Sequence, residues 1–308
     1  MGYTSFDEIL RSAKKLPSRS VMAVAAAADP HSLEAALSAR KAGIADPLLV
    51  GGRDGILKCL EALGESVPDE NIIDAADPTE AAAKAVALVR EGRASFLLKG
   101  SLDTSALLRA VVDRERGLSR GRLMSHFTIF EIPGYHKLLA PVDGGMVTYP
   151  TLEQKKQIIE NTVEVFRSLG CECPKVGVLA CVEKVNPKMP ETVEADALKQ
   201  MNLRGEIRDC IVEGPISYDC AVSKEIADYK GFESPCAGDC DILLAPNIHA
   251  GNIMGKMLTV TCGAKMAGFI VGAACPIAMT SRGSSAEEKF DSIVLAALCA
   301  AGMKNAGA

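Results

Sequence analysis

The stretch VMAVAAAADPHSLEAALSARKAGIADPLLVGG, residues 21–52, decides the fold class. Two apolar runs, 21–28 and 47–52, have the length of buried strands, and the segment 31–43 between them has the apolar spacing of a helix. A strand, a helix and a second strand in this order form the repeating unit of a parallel sheet. The stretch therefore predicts an α/β protein.

The same alternation continues along the chain. Further strands are predicted at 94–100, 175–183, 210–217, 240–247 and 266–273, and further helices at 78–92 and 152–170. Near-continuous apolar strands between helices indicate mostly parallel sheets with helices on both faces. The region 122–150 departs from this pattern, because two strand-like runs follow each other without a helix, which predicts an antiparallel hairpin.

The hairpin also suggests how the chain divides into domains. One α/β half precedes it and another follows it, and the final helix can pack back on the first half. We therefore predict a first lobe of residues 1–121 plus 271–308 and a second lobe of residues 122–270.

Length and charge narrow the class of protein. The chain has 308 residues, enough for about two domains, and a net charge of -5. An acidic chain is a poor partner for nucleic acid, because phosphate backbones select surfaces rich in Lys and Arg. No run approaches the roughly 20 apolar residues of a membrane span, and the N-terminal segment lacks a signal-peptide core. We expect a cytoplasmic protein that binds neither membranes nor nucleic acid.

Eleven cysteines invite a redox or metal interpretation, but their spacing opposes it. Cys171 and Cys173 are two residues apart, Cys236 and Cys240 are four apart, and no C-x-x-C occurs. The four histidines follow no zinc-binding pattern. Most cysteines lie in apolar runs, where Cys acts as a small hydrophobic residue. We expect reduced thiols and no bound metal.

Two nucleotide-binding signatures are missing. No G-x-G-x-x-G follows the first predicted strand, which argues against a dinucleotide fold of that type. The stretch AGNIMGKM, residues 250–257, resembles a P-loop but has Ala250 in place of the first Gly and Met257 in place of Ser or Thr. Phosphate cradling and magnesium ligation need those residues, so we do not expect a kinase.

The stretch FLLKGSLDTSALLRA, residues 96–110, places candidate anion ligands after a predicted strand, where open α/β sheets bind ligands. Gly100, Ser101 and Thr104 lie at the turn, and Arg109 follows in the next helix. Backbone N–H groups at a helix start, hydroxyls and a cation can together bind an anion. The structural alternative makes Thr104 a simple N-cap and Arg109 a solvated helix residue.

The stretch CPIAMTSRGSSAEEKF, residues 275–290, also joins a strand to a helix. Ser281 and Arg282 stand at the predicted strand end, and an arginine there can hold phosphate oxygens with bonds of ~1.5–3 kcal/mol each. The letters S-A-E-E also form a capping box, with Ser285 as N-cap and Glu288 at the third helical position. Glu288 is thus either a cap or a catalytic candidate.

A third strand–helix junction lies in DCDILLAPNIHAGNIMGK, residues 239–256. Asn247, Gly251 and Asn252 follow the predicted strand, and their side chains and backbone can hold a polar ligand. Asn and Gly also serve turns, because both tolerate left-handed backbone, so the same residues have a purely structural interpretation.

At these three junctions the sequence resembles the phosphate acetyl/butyryl transferase family, most of all its butyryl-type members. The matching text includes LLKGSLDTSALLR, MSHFTIFEIPGYHKLL, SPCAGDCDILLAPNIHAGNIMGKM, GAKMAGFIVGA and PIAMTSR, within residues 94 to 300. The resemblance implies the two-lobed fold of isocitrate and isopropylmalate dehydrogenases, an active site in the cleft between lobes, and a homo-oligomer.

The resemblance also implies a reaction and a set of roles. Acyl-CoA and phosphate give acyl phosphate and CoA by direct thiolate chemistry in a ternary complex, with CoA as a substrate and neither cofactor nor metal. By this resemblance Ser281 and Arg282 are catalytic, with Glu288 in the position of the family's aspartate base. Arg109 is the family's anion-binding arginine, and we place the phosphate group at Arg109 and the turn before it, Gly100 to Thr104. We place CoA at the third junction, that of Asn247, Gly251 and Asn252.

Several readings of the function stay open. A short-chain acyl group of about four carbons is favoured, and a phosphate acetyltransferase acting mainly on acetyl-CoA is an alternative, because one methylene changes specificity by only ~1–3 kcal/mol. An NAD-linked decarboxylating dehydrogenase on the related fold is a second alternative. A non-catalytic protein that binds CoA or acyl phosphate is a third.

Overall fold

The computed structural model of the protein describes residues 2–279 and 284–306, with side chains as far as 303. The helices are α1 (Phe6–Ala13), α2 (Pro30–Lys41), α3 (Arg53–Ala62), α4 (Pro78–Arg90), α5 (Thr104–Val112), α6 (Leu152–Ser168), α7 (Pro190–Leu203), α8 (Tyr218–Val222), α9 (Lys224–Tyr229), α10 (Ile248–Lys256) and α11 (Ala286–Ala306). The strands are β1 (Ser20–Ala25), β2 (Ala45–Gly51), β3 (Ile72–Asp74), β4 (Phe96–Lys99), β5 (Ser125–Glu131), β6 (Ala140–Val142), β7 (Lys175–Leu179), β8 (Ile211–Ile216), β9 (Ile242–Leu244), β10 (Lys265–Val271) and β11 (Ile277–Ala278). A 3-10 turn spans Asp69–Asn71, and a π-helical turn, Met257–Thr261, continues α10.

The chain forms two compact units, which we call the first and second lobes. The first lobe contains Phe6–Arg122 and the chain from Ala267 onward, and the second contains Leu123–Met266 with the N-terminal residues up to Ser5. The N-terminal residues therefore differ from the expected division. They lie with the second lobe because the N–H of Leu138 donates to the carbonyl of Tyr3 at 3.0 Å.

The first lobe is built on a mostly parallel sheet. Its strands follow the order β3-β2-β1-β4-β11-β10, in which β10 and β11 are antiparallel and the remaining neighbours are parallel. The central strand β1 ends at Ala25 rather than continuing through the predicted run, because Ala26 has a φ of 55° and leaves the strand direction. The predicted α/β class is confirmed here.

Helix α11 packs on the first lobe. Its residues from Ile293 to Ala300 are all buried, and the hydroxyl of Ser20 on β1 donates to the carbonyl of Ala297 at 3.3 Å. Small residues on consecutive turns of α11, Ala296, Ala297 and Ala300, allow this close approach to the sheet.

The second lobe has a parallel sheet in the order β6-β9-β7-β8. The predicted hairpin within 122–150 is present but only one residue pair wide, where Phe130 and Leu139 exchange backbone hydrogen bonds of 2.8 and 3.0 Å. It is so short because β6, which follows directly, pairs with β9 in the parallel sheet instead.

None of the eleven cysteines, which all lie in the described residues, forms a disulfide bond, and most of them are buried. Burial raises the pKa of Cys210 and of Cys275 to about 12 in each case, so these thiols stay protonated and pack as small apolar side chains. Among the helices that the structure describes, none is long and apolar enough to cross a membrane.

Candidate functional site

A large cavity opens at one edge of the first-lobe sheet. The parallel strands β1, β3 and β4 end there, and the helices that follow them, α2, α4 and α5, begin there. The cavity has a volume of about 740 Å³, and we call it the first-lobe cavity. Its walls are formed by Asp29, His31, Ser32, Asp77, Pro78, Thr79, Lys99, Gly100, Ser101, Leu102, Asp103, Ala106, Arg109 and Lys289. This is the edge at which open α/β sheets bind ligands.

Two of the three helix starts are already capped by carboxylates of this chain. Asp29 accepts from the N–H of Ser32 at 2.8 Å, and Asp77 accepts from the N–H groups of Thr79 and Glu80 at 2.7 and 2.9 Å. At the start of α5, Asp103 makes no side-chain cap bond. The partial positive charge of the α5 N-terminus therefore faces the cavity without a capping carboxylate.

The turn between β4 and α5 is held tightly against β1. The N–H groups of Gly100 and Ser101 donate to the carbonyls of Ala25 and Ala26 at 2.8 and 2.9 Å. A Cβ at Gly100 would overlap the carbonyl oxygen of Ala26, so only glycine fits there. The hydroxyl of Ser101 is left exposed on the cavity wall.

Three cations line the cavity. They are Lys99, Arg109 and Lys289. The guanidinium of Arg109 is exposed and is anchored to its own helix, where Nε donates to the carbonyl of Ser105 at 3.3 Å. The carboxylates of Asp29, Asp77 and Asp103 line the same cavity, and those of Asp29 and Asp77 are engaged as caps. The cations and the α5 N-terminus are thus the groups of the cavity that can hold an anion.

The structure brings together most of the predicted phosphate ligands. Gly100, Ser101 and Arg109 all line the first-lobe cavity, whereas Thr104 does not. Thr104 is the first residue of α5, and the N-cap position is occupied by Asp103, so the structural alternative for Thr104 as N-cap is wrong.

Lys289 was missed by the sequence argument. The capping-box pattern directed attention to Glu288, yet consecutive helical residues point about 100° apart. In the structure Lys289 lines the cavity, and Glu288 is not among the lining residues of the described chain. Helical phasing from Ser285, four residues before Lys289, is the signal that could have found it.

The predicted capping box at the start of α11 forms on one side only. The N–H of Glu288 donates to Oγ of Ser285 at 3.1 Å, as expected, but its carboxylate accepts from the hydroxyl of Ser284 at 2.5 Å. Ser281 and Arg282, the other predicted catalytic residues, lie outside the described residues.

The predicted CoA ligands lie together in the second lobe, where each makes contacts within its own fold. Asn247 is the N-cap of α10 and accepts from the N–H of Ala250 at 3.2 Å. Nδ2 of Asn252 donates to the carbonyl of Gly144 at 3.0 Å. A Cβ at Gly251 would lie 2.5 Å from the carbonyl oxygen of Asp143, so glycine is required for α10 to approach that turn.

Asp143 organises this turn and was not singled out from the sequence. Its buried carboxylate accepts from four N–H groups, those of His126, Gly145, Met146 and Val147, at 2.9, 2.8, 2.8 and 3.3 Å. Burial lowers the pKa of His126 despite the nearby carboxylate, so this imidazole is neutral. The sequence Asp-Gly-Gly at 143–145 is the feature from which this turn could have been predicted.

A charged cluster follows β7 and β8 in the second lobe. Oxygen or sulfur atoms of Glu183, Asp219 and Cys220 lie within 4.8 Å of one another, close enough for a metal site. However, the ammonium of Lys230 lies 2.9 Å from both carboxylates. The hydroxyl of Ser217 and then this ammonium lower the pKa of Asp219 to about 2. The cluster is therefore an internal ion-pair network with its own cation.

Fold and cavity together define an α/β protein with a cavity at a sheet edge that Lys99, Arg109 and Lys289 line, and comparison with known proteins narrows the class. The family described as phosphate acetyl/butaryl transferase matches residues 70–297. The chain belongs to this family.

Individual relatives agree with this assignment. The phosphate butyryltransferase of Clostridium acetobutylicum is 43% identical over 296 residues, which are 96% of this chain and 98% of that protein. The phosphate acetyltransferase of Thermotoga maritima is 43% identical over 279 residues, 91% and 95% of the two chains. A crystal structure of a branched-chain phosphotransacylase from Enterococcus faecalis has a TM-score of 0.79 and 32% identity, covering 91% of this chain and 98% of its own. The predicted family is confirmed.

Proposed function

We propose that the protein is a phosphate butyryltransferase that binds the phosphate group of its substrates in the first-lobe cavity. The reaction is butanoyl-CoA plus phosphate giving butanoyl phosphate plus CoA. The observation that carries the assignment of the site is the convergence of Lys99, Arg109 and Lys289 on a cavity beside the uncapped start of α5. An acyltransferase of this kind agrees with the family and with the names of its relatives. These names favour neither the dehydrogenase nor the non-catalytic binding protein.

The chemistry is a direct transfer. In the phosphorolysis direction a phosphate oxygen attacks the thioester carbonyl, the C–S bond breaks, and CoA leaves as a thiolate. In the other direction the thiolate attacks the carbonyl of the acyl phosphate, and the C–O bond to phosphate breaks. Negative charge gathers on the carbonyl oxygen in both directions, so fixed cations and the Ser101 hydroxyl stabilise the transition state. Holding both substrates together converts the transfer into an effectively intramolecular step.

No covalent enzyme intermediate is part of this proposal. No cysteine lines the cavity over the described ranges, and the buried thiols of Cys210 and Cys275 have raised pKa values. We also propose that the reaction needs neither metal nor cofactor. Addition of EDTA to the assay should therefore leave the rate unchanged, and a loss of activity restored by a divalent cation would contradict this.

Roles for the remaining predicted residues follow from the family resemblance. Ser281 and Arg282 are proposed to contact the transferred group, and Glu288 to accept the proton of the CoA thiol. A thiol with a pKa near 8.5 is only about 3% ionised at pH 7, so a base increases the reactive fraction. Asn247, Gly251 and Asn252 are proposed to shape the CoA site through the turn that they hold.

The preferred acyl group is proposed from the names of the relatives, some of which are butyryltransferases and others acetyltransferases. The butyryltransferase and acetyltransferase relatives are each 43% identical to this chain, which keeps a phosphate acetyltransferase as the second candidate. Butanoyl is preferred because two relatives that each cover 96% of this chain are both named phosphate butyryltransferase.

Substitution of Arg109 tests the site. Arg109→Ala should lower kcat/KM for phosphorolysis of butanoyl-CoA by about 10- to 100-fold, since a charge-assisted hydrogen bond contributes ~1.5–3 kcal/mol. The measurement is release of free thiol at varied phosphate. Arg93→Ala is the matched control, because Arg93 is exposed and outside the cavity. Near-native phosphorolysis by Arg109→Ala would remove the cavity from the mechanism.

We propose further that the protein is a homo-oligomer. The side chains of Ile253, Met257 and Val260 are exposed and follow one another at helical spacing, with Val260 81% exposed. An apolar stripe of this kind favours association with a like surface. Sedimentation should show an oligomer that Val260→Lys weakens, and a monomer at all concentrations would refute it.

We also propose a cytoplasmic location, which suits unpaired cysteines. Fractionation of cells that express the protein tests this.

A further inference from the structure

A second recess opens beside the first-lobe cavity, at the ends of β1, β2 and β3. It has a volume of about 210 Å³ and shares Asp77, Pro78 and Ser101 with the cavity, so the two spaces adjoin. Five alanines, two glycines and a proline line it, together with Asp77 and Ser101. We call it the small-residue recess.

Several polar groups around this recess are already paired within the chain. The backbone N–H groups of Ala27, Ala75 and Ser101 donate to carbonyls of neighbouring strand ends at 2.9, 3.1 and 2.9 Å. The carboxylate of Asp77 accepts from the first turn of α4 at 2.7 and 2.9 Å. The recess therefore offers a ligand mainly methyl and methylene surface.

We propose that the small-residue recess binds the hydrocarbon tail of the acyl group. This inference rests on the proposed function. In an acyl phosphate the carbonyl carbon is bonded directly to a phosphate oxygen, so the tail begins next to the anion. Ser101 lines both spaces, which places the recess where a tail would extend from a phosphate in the cavity. A hydrocarbon gains free energy by leaving water for such a surface, whereas a nucleoside base would leave its polar groups unpaired.

The size of the lining side chains then determines the chain length that fits. None of the alanines and glycines extends beyond a methyl group, so the space stays open for the substrate. Each methylene of the acyl group that enters the recess is expected to raise kcat/KM about fourfold. A larger side chain in the recess would remove that gain while leaving room for an acetyl group.

Two lining positions allow this test without disturbing the core. Ala76 is exposed, and a Cβ at Gly52, which is also exposed, would meet nothing within 4 Å. Gly52 has a φ of -59°, which other residues adopt readily. Ala76→Leu and Gly52→Val are therefore chosen to place larger side chains on two parts of the recess wall. Ala83→Leu is the matched control, because Ala83 is exposed on α4 outside the recess.

The experiment compares phosphorolysis of acetyl-CoA and butanoyl-CoA by the full chain and these three variants, with free thiol as readout. We expect Ala76→Leu and Gly52→Val each to lower the butanoyl-to-acetyl ratio of kcat/KM by about tenfold, and Ala83→Leu to keep the wild-type ratio. An unchanged ratio in both recess variants would overturn the inference. So would an equal loss for both acyl groups through an equally raised KM for acetyl-CoA and butanoyl-CoA, which would assign the recess to the CoA part of the substrate. Both results leave the wild-type enzyme active, whereas a wild-type chain that releases no thiol from either substrate would overturn the proposed function as well.

Discussion

The two lobes each end a parallel sheet in a row of polar residues, but they use these residues differently. In the first lobe Lys99, Arg109 and Lys289 line an open cavity of about 740 Å³. In the second lobe the carboxylate of Asp143 accepts hydrogen bonds from four backbone N–H groups. The ammonium of Lys230 forms ion pairs with the carboxylates of Glu183 and Asp219. The polar residues at the first-lobe edge thus line an open space that a ligand can enter, whereas those at the second-lobe edge are enclosed by partners from their own chain.

The largest effect, on the stability of the fold, is expected from removing the Asp143 carboxylate in the second lobe. Asp143→Ala would leave the N–H groups of the 143–147 turn without their acceptor inside the protein. A fully buried N–H group without a partner costs about 1–3 kcal/mol, and the four donors here are partly buried to exposed, so we take the lower end of this range for each. We expect a loss of at least ~3 kcal/mol and a melting temperature lower by roughly 10 °C, read from thermal unfolding. Asp143→Asn retains one carbonyl acceptor and should lose less. Unchanged melting of Asp143→Ala would contradict this account of the second lobe.

A smaller effect, on phosphate binding rather than on stability, is expected from a substitution in the first-lobe cavity. Lys289→Met removes one cation from the first-lobe cavity, so the KM for phosphate should rise about tenfold while the melting temperature stays unchanged. Lys58→Met serves as control, because Lys58 is exposed and outside the cavity. An identical KM for both variants would remove Lys289 from the site.

The ion-pair network of the second lobe should affect how the stability of the protein depends on pH in the acidic range. The hydroxyl of Ser217 and the ammonium of Lys230 lower the pKa of Asp219 from 3.8 to about 2, so its ionised form stabilises the folded state above pH 4. This contribution should be lost as the pH falls from about 4 to 2. In Asp219→Asn the decline of stability over that window should be shallower. A wild-type acid profile in the variant would show that the network contributes nothing.

The smallest effect is expected at Thr104. Its side chain is exposed at the first residue of α5 and does not line the cavity, so Thr104→Ala should change the KM for phosphate less than twofold. Kinetics at varied phosphate tests this, with Ser101→Ala as the comparison that should show the larger rise.

Local sequence signals predicted much of the fold and three of the residues that line the first-lobe cavity. Asp29-Pro30 and Asp77-Pro78 are typical helix starts, and Asp29 and Asp77 cap α2 and α4 in the structure. Apolar runs of strand length predicted the parallel sheet. Gly100, Ser101 and Arg109 share one strand–turn–helix unit, so a single stretch of sequence contains them.

Tertiary contacts decided what the sequence argument missed. The carbonyl of Gly144 accepts from Asn252 across 108 positions of the chain, and no local pattern reports such a bond. The width of the hairpin depended on β6 pairing with the distant strand β9. Lys289 was overlooked because the direction of a helical side chain depends on where the helix begins.

The most direct test of the central claim is a crystal structure of the protein soaked with inorganic phosphate. We predict phosphate in the first-lobe cavity, within hydrogen-bond distance of Ser101 and the Arg109 guanidinium. Phosphate bound instead beside Asn247 and Asn252 in the second lobe, with the first-lobe cavity empty, would contradict the account.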